Sequence, residues 1–451
     1  MSFSIHNQTI EPGTKILFAC MAADGHFNPL TSLALQLQGM GCDIGWYVGA
    51  AFAEKVEAMN IRYFPHKKAI DVTAENLDEI YPERNKLKSG IPKLRFDLEH
   101  FFIRRGPDFY ADIKDIHAEF PFEIMITEVS FTAIPFVQQK MNIPVVSIGI
   151  IPIAETSVDL PPMGLGMTPS NSILGRLKQA ALRWVTAQVL LRKPMLVLDE
   201  LLAVEGLKRD GNLFDTAYRT STLVLQSGTP GFEYPRSDMN PNLRFIGALL
   251  PAPSGKKRQP WSSEKLLQYN KVILCTQGTA EGDVEKLIVP TLEAFKDTDH
   301  LVIVTTAGNQ TESLRQRFPQ RNIIIEDFIP FADIMPYCDV YVTNGGYGGT
   351  LLGIQHKLPL VVAGVNEGKN EICARVGYFK LGINLKTETP KPGQLKKAVE
   401  EVMNNDTYRQ NVVKLGKEFA QYNPQQLFVQ YVSQLLQQGS TKKKKVMEAV
   451  Y

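Results

Sequence analysis

The chain has 451 residues, 44% of them hydrophobic and 21% charged, with a net charge of +2. That length exceeds one ordinary core and predicts two domains, and the near-neutral balance argues against a nucleic-acid binder, which carries a strong basic excess. The five cysteines form no CxxC pair, which excludes a zinc ribbon or a disulfide framework and leaves them as small buried hydrophobes.

In chain order, the first residues lack a signal-peptide pattern, and no apolar run reaches the ~20 residues needed to span a bilayer, so the cytoplasm is the expected location. KILFACMA, from Lys15, reads as a buried strand and residues 25–28 as a turn. Leu30, Leu33, Ala34 and Leu37 then recur at helical spacing, up to Gly39 and Gly41. DIGWYVG, FEIMITE and PVVSIGI read as further strands, with a helix over residues 131–141 between the last two. Residues 151–168 form a long apolar loop, and residues 176–193 a helix carrying five basic residues. That helix reads as a solvated face on a packed element, with an acceptor or membrane contact as the other reading.

PAPSGKKRQP, residues 251–260, reads as the linker. Beyond it KVILCT, HLVIVTT, NIIIEDF, VYVTN and PLVVAG alternate with helices, including one over residues 284–295. Strand–helix–strand order in both halves predicts two doubly wound parallel sheets, an α/β architecture with a cleft between the halves. The divisions are residues 1–250, a linker at 251–265, a second domain at 266–425 and a closing segment at 426–451. Lys442 to Lys445 belong to a solvated tail.

The chemistry concentrates in two places. After the strand VYVTN, a helix opens within Asn344, Gly345, Gly346, Tyr347, Gly348, Gly349 and Thr350. Glycines admit a ligand close to the backbone, and free N–H groups at a helix start suit a diphosphate. The stretch is neither GxxxxGK[ST] nor GxGxxG, so P-loop and ordinary dinucleotide readings lose ground. In MAADGHFNPL, His26 stands between a strand end and a helix start, where an imidazole accepts a proton near neutral pH. The DTD at Asp297 to Asp299 sits at a helix end and reads as surface charge, so no metal site is assigned.

The glycine-rich stretch resembles the donor motif of family 1 glycosyltransferases, the GT-B group that includes bacterial macrolide glycosyltransferases and enzymes acting on flavonoids. Gly345, Gly346, Gly348 and Pro359 fall in register with HGGxGTxxEAxxxGVP. IIIEDFIPFADIMPYCDVYVTN, CTQGTAEG and DGHFNPL are similar to three further segments of that family. The resemblance implies an inverting, metal-independent O-glycosyltransferase. It would move a sugar from a dTDP- or UDP-sugar co-substrate, dTDP-rhamnose among them, to a small apolar or aromatic acceptor, with no further cofactor. It implies His26 as general base, oriented by Glu128 or, as the alternative, Asp24. For the donor it implies Phe328 and the Ile329 backbone at the base, Gly278 and Thr279 at the diphosphate, and the Asn344–Thr350 stretch opposite them.

The pattern departs where its phosphate-binding His is Asn344, its Thr is Gly349, its acidic residue is Leu352, and its closing Asp-Gln is Gly368 and Lys369. Glu367, Lys369, Asn370 and Glu371 are then the available polar contacts. Met163, Leu165 and Met167 are the acceptor-binding candidates, against plain packing of the loop on its own domain. Neither nucleic acid nor a membrane is expected as a partner. The other readings are a catalytically weak nucleotide-sugar-binding protein and a lipid glycosyltransferase working at a membrane surface.

Overall fold

The computed structural model describes residues 10–73, 76–88, 90–250, 260–278, 281–366 and 368–448, the last nine as helical backbone only. Thr279, Glu367, most of the linker and the side chains of the lysine tail lie outside what is described. The first half folds around a seven-stranded sheet. Its strands are β1 (Lys15–Ala19), β2 (Asp43–Tyr47), β3 (Arg62–Phe64), β4 (Ile124–Glu128), β5 (Val145–Gly149), β6 (Leu223–Ser227) and β7 (Leu243–Gly247). The second half holds β8 (Val272–Thr276), β9 (Leu301–Thr305), β10 (Ile323–Glu326), β11 (Val340–Thr343), β12 (Leu360–Val362) and β13 (Gly382–Asn384).

Every strand pair is parallel, in the orders β3-β2-β1-β4-β5-β6-β7 and β10-β9-β8-β11-β12-β13. These are the two doubly wound sheets that the alternation predicts. In such sheets a ligand binds where the winding reverses, because the loops on either side of that point diverge and leave a crevice. The reversals fall between β1 and β4 and between β8 and β11. The C-terminal ends of those strands and the segments that leave them carry His26, Glu128, Gly278 and Asn344 to Thr350.

Prolines correct several helix boundaries. The helix expected from residue 284 starts at Ile288, because Pro290 has no N–H to give and is tolerated only in a first turn. Gln277 caps that start, its Oε1 accepting the N–H groups of Leu287 and Ile288. The helix expected from residue 131 is Ile134–Lys140, with Pro135 in its first turn. Residues 176–193 are not one helix but parts of two, Ile173–Val185 and Arg192–Val204, joined by a wide turn over Thr186–Leu190. Pro194 cannot donate to residue 190, so the first helix cannot run on.

The two halves are joined by buried contacts. Phe232, from the short turn Pro230–Phe232, is fully enclosed in a core of second-half side chains. The Tyr347 hydroxyl donates to the Ser227 carbonyl at 2.7 Å and accepts from Gln226 at 3.2 Å. The closing helix Pro424–Glu448 returns to the first half, where Phe428, Val429 and Val432 join the core over β1 and β2. Arg375 ties the set together. Its guanidinium donates to Glu233 at 3.0 and 3.2 Å and to Glu371 at 3.3 Å, and lies over the Tyr234 ring at 4.3 Å. Glu233 in turn accepts the Ile153 N–H, and Glu371 accepts the N–H groups of Gly164 and Gly166.

Arg375, Glu233 and Glu371 are all buried. Arg375→Met should therefore leave two carboxylates without their cation and cost about 3–5 kcal/mol of stability. A urea titration reads this as a lowered midpoint; a wild-type midpoint would show that the cluster does not hold the halves together.

Candidate active site

His26 lies in the first turn of the helix Asp24–Gly39, which begins ahead of it, so the residues expected as a turn are already helical. Its Nδ1 stands 3.0 Å from Oε1 of Glu128, the last residue of β4. The two atoms are at ion-pair distance without the alignment of a straight hydrogen bond. The other Glu128 oxygen accepts the N–H and the hydroxyl of Ser130, both at 2.6 Å. Burial pushes the Glu128 carboxyl up, but the facing imidazole and the Ser130 donors outweigh it and hold the carboxyl below its usual value. Asp24 is engaged elsewhere, accepting from Lys55 Nζ at 2.7 Å.

On the opposite side, Gly346 caps the helix Tyr347–Gln355. The N–H groups of Tyr347, Gly348 and Gly349 open that helix and have no intrahelical partner. Gly345 adopts a left-handed φ of +77°, and a Cβ there would run into the sulfur of Cys373. Asn344 bridges the two loops of the second sheet: its amide donates to the Gln277 carbonyl and its oxygen accepts the Gly346 N–H at 3.3 Å. Gly278 follows with φ +74°. Thr350 is buried with an unpartnered hydroxyl, and Leu352 belongs to the core. Phe328 is 65% exposed while Ile329 is buried, so one ring stands open as a platform.

Asn344 and Lys369 line one pocket with residues that the sequence reading did not single out, namely Gln277, Glu281, Lys286 and Glu388. Lys286 donates to Glu281 at 2.6 Å, and Glu388 accepts from Asn366 at 2.6 and 2.9 Å. Burial raises both carboxyls, but these donors and the nearby charge of Lys369 bring them below the usual range. Lys286 was within reach of sequence reasoning, because it follows directly on the Gly278 loop. Glu388 was not, since the loop after β13 reaches the pocket only through sheet order.

The candidates in residues 151–168 divide. Met163 packs partly buried against Val129, Ile153 and Tyr218 of its own half, whereas Leu165 is exposed. Met167 is half-buried. Asn370, a donor-site candidate, donates to the Gly164 carbonyl at 2.7 Å and so anchors this loop. Asp297 and Asp299 are exposed at the entrance to β9, the sheet edge opposite the site. Among the described residues no cluster of His, Cys, Asp and Glu has the geometry of a metal site.

Comparison with known proteins shows the family and the fold. Residues 290–434 match the model of the erythromycin biosynthesis protein CIII-like C-terminal domain. The chain is 33% identical over 410 residues to 4'-demethylrebeccamycin synthase of Lentzea aerocolonigenes, covering 90% of this chain and 96% of that one. Among solved structures, a calicheamicin glycosyltransferase superposes with a TM-score of 0.71 at 18% identity, over 94% of this chain and 98% of its own. The glycosyltransferase VinC, in complex with dTDP, does so with a TM-score of 0.65 at 14% identity, over 93% and 100%.

The pH dependence of the buried carboxylate follows from its direction. Glu128 titrates below 4.5 in the folded chain, so its contribution to stability is complete above about 4.5 and is lost as pH falls through the lower folded value. The difference in melting temperature between the wild type and Glu128→Gln should be largest near neutral pH and close in acid. A difference that stays constant across that range would show that the carboxylate is not held ionised by its partners.

Proposed function

The chain belongs to the family 1 glycosyltransferases of the GT-B fold, and from that premise we propose that it is an inverting enzyme in which His26 is the general base. As a glycosyltransferase it uses a nucleotide-sugar donor. The observation that carries the proposal is the His26–Glu128 pair at the switch point of the first sheet. With Nδ1 turned to Glu128, the lone pair of Nε2 is left for an acceptor hydroxyl. As the acceptor oxygen attacks the anomeric carbon, its proton passes to Nε2 and the bond to the diphosphate breaks on the opposite face. One direct displacement inverts the configuration. Glu128, kept ionised, fixes the tautomer and stabilises the imidazolium that forms.

The leaving diphosphate gains negative charge, and positive groups must meet it. The free N–H groups of Tyr347, Gly348 and Gly349, with the positive end of their helix, serve this role, and Lys369 and Lys286 add full charges. These supply what a metal ion supplies elsewhere, so the mechanism calls for none. Asn344 acts mainly as a brace between the two phosphate loops, because one of its amide hydrogens is committed to Gln277. Phe328 stacks on the base, and Glu281 and Glu388 accept from sugar hydroxyls. Between dTDP and UDP the reading favours dTDP, in keeping with the dTDP-bound neighbour. The acceptor is small and apolar or aromatic, a flavonoid for example, received beside Leu165 and Met167.

His26→Ala should lower turnover by roughly 10²–10⁴-fold with donor affinity unchanged, and Glu128→Gln by less. Product formation on a polyphenol, followed by mass spectrometry with a set of nucleotide sugars, measures this and identifies the sugar. Normal turnover in His26→Ala would require another base.

The donor side has its own test. Lys369→Ala should weaken diphosphate binding more at low salt than at high salt, since the contact is electrostatic. Calorimetric titration of dTDP and UDP at two ionic strengths reads both the effect and the preferred base. Wild-type binding in the variant would remove Lys369 from the site.

A further inference from the structure

The helix Ile173–Val185 is mounted with its polar side inward. Gln179 is its buried residue, accepting the Ser170 N–H at 2.6 Å and donating to the Asp159 carbonyl at 3.1 Å. Arg183 also turns to the body of the protein, donating to the Leu160 carbonyl at 2.6 Å. At 100° per residue, Ile173, Leu174, Leu177 and Trp184 fall within an arc of roughly 100° on the side away from Gln179. They are strongly exposed, Ile173 and Leu174 at 80% and Trp184 at 63%. Arg95 donates to the carbonyls of Val189 and Leu190, which sets the helix Ile91–Asp97 beside the wide turn and adds the exposed Leu94 and Val189 to the apolar surface.

The charge carried by this stretch of chain has one sign. Between Asp159 and Asp199 the chain has no acidic residue, but it has Arg176, Lys178, Arg183, Arg192 and Lys193. Of these, Arg176, Lys178, Arg192 and Lys193 are exposed. An apolar stripe with a Trp and flanking cations is the composition of a helix that lies in the plane of a bilayer surface. A second copy of the chain fits poorly, because a twofold contact through the stripe would bring like charges together.

We propose that this face docks on an anionic lipid surface, its apolar row entering the headgroup boundary and its cations meeting lipid phosphates. No helix among the described residues is long and apolar enough to cross a membrane, so the contact is peripheral. The proposal goes beyond the catalytic reading and does not depend on it.

The test is co-sedimentation of the full chain with phosphatidylcholine vesicles, with and without phosphatidylglycerol. The wild type should pellet with the anionic vesicles, weakly with the neutral ones, and be released by high salt. Its tryptophan emission should shift to the blue and the shift should vanish in the variant that carries Trp184→Ala, because Trp46 is buried and Trp261 packs against the second-half core. The double variant Arg176→Glu, Lys178→Glu should lose at least about tenfold in vesicle affinity. So should the triple variant Leu174→Ser, Leu177→Ser, Trp184→Ala. Both substitute exposed side chains, and their melting temperatures and diphosphate binding should match the wild type. A wild type that stays in the supernatant with both vesicles would overturn the proposal. So would a charge-reversed variant that pellets as the wild type does, or sedimentation velocity showing a dimer that only the triple variant dissolves.

Discussion

A cation enclosed between two carboxylates from different parts of the chain governs how the halves of this protein meet. Arg375 has almost no contact with water, and Glu233 and Glu371, which face it, offset the cost of burying its charge. Each partner then reaches further. Glu233 holds the backbone just beyond β5, and Glu371 holds the two glycines of the long loop. A change in the relative position of the sheets would strip hydrogen bonds from three buried charges at once. That constraint acts with the burial of Phe232 and the Tyr347 hydrogen bonds to fix how the two halves meet.

Under the proposed function, the site is built from unlike materials on its two sides. The first sheet contributes side-chain chemistry, an imidazole steered by a buried carboxylate. The second contributes mostly backbone, in the form of glycine loops and a helix start, with lysines at the margin. The division has a physical basis. Proton transfer needs a group whose charge changes near neutral pH, whereas a diphosphate needs many fixed donors that do not titrate.

Much of this was legible in the sequence, and the exceptions have identifiable causes. The alternation of buried strands and helices reveals both sheets, because parallel strands covered on two faces read as continuous apolar runs. Helix starts were misplaced where Pro135, Pro194 and Pro290 impose a boundary that apolar spacing does not reveal. His26 and the Asn344–Thr350 stretch stand out because glycines and a proline frame them in the chain. The engagement of Asn344 with Gln277, and of Asn370 with Gly164, joins segments far apart in sequence. Spacing has no information about such pairs. The same holds for Glu388, which enters the pocket through strand order, and for the outward apolar face of Ile173–Val185. Its sequence reads as an ordinary amphipathic helix until the packed side is known to be the polar one.

Phe232 has a consequence for how such chains can be recombined. It lies before the linker, in the first half by sequence, yet its ring is buried in the core of the second half, beside the rings of Tyr347 and Phe379. The boundary in the chain and the boundary in the packing therefore differ. A chimera joined at residues 251–260 would supply a second half with a hole that its new partner must fill with a ring of the same size and position. The modular unit of exchange is the second half together with the short turn Pro230–Phe232 that plugs it, and the closing helix Pro424–Glu448 belongs with the first half on which it rests.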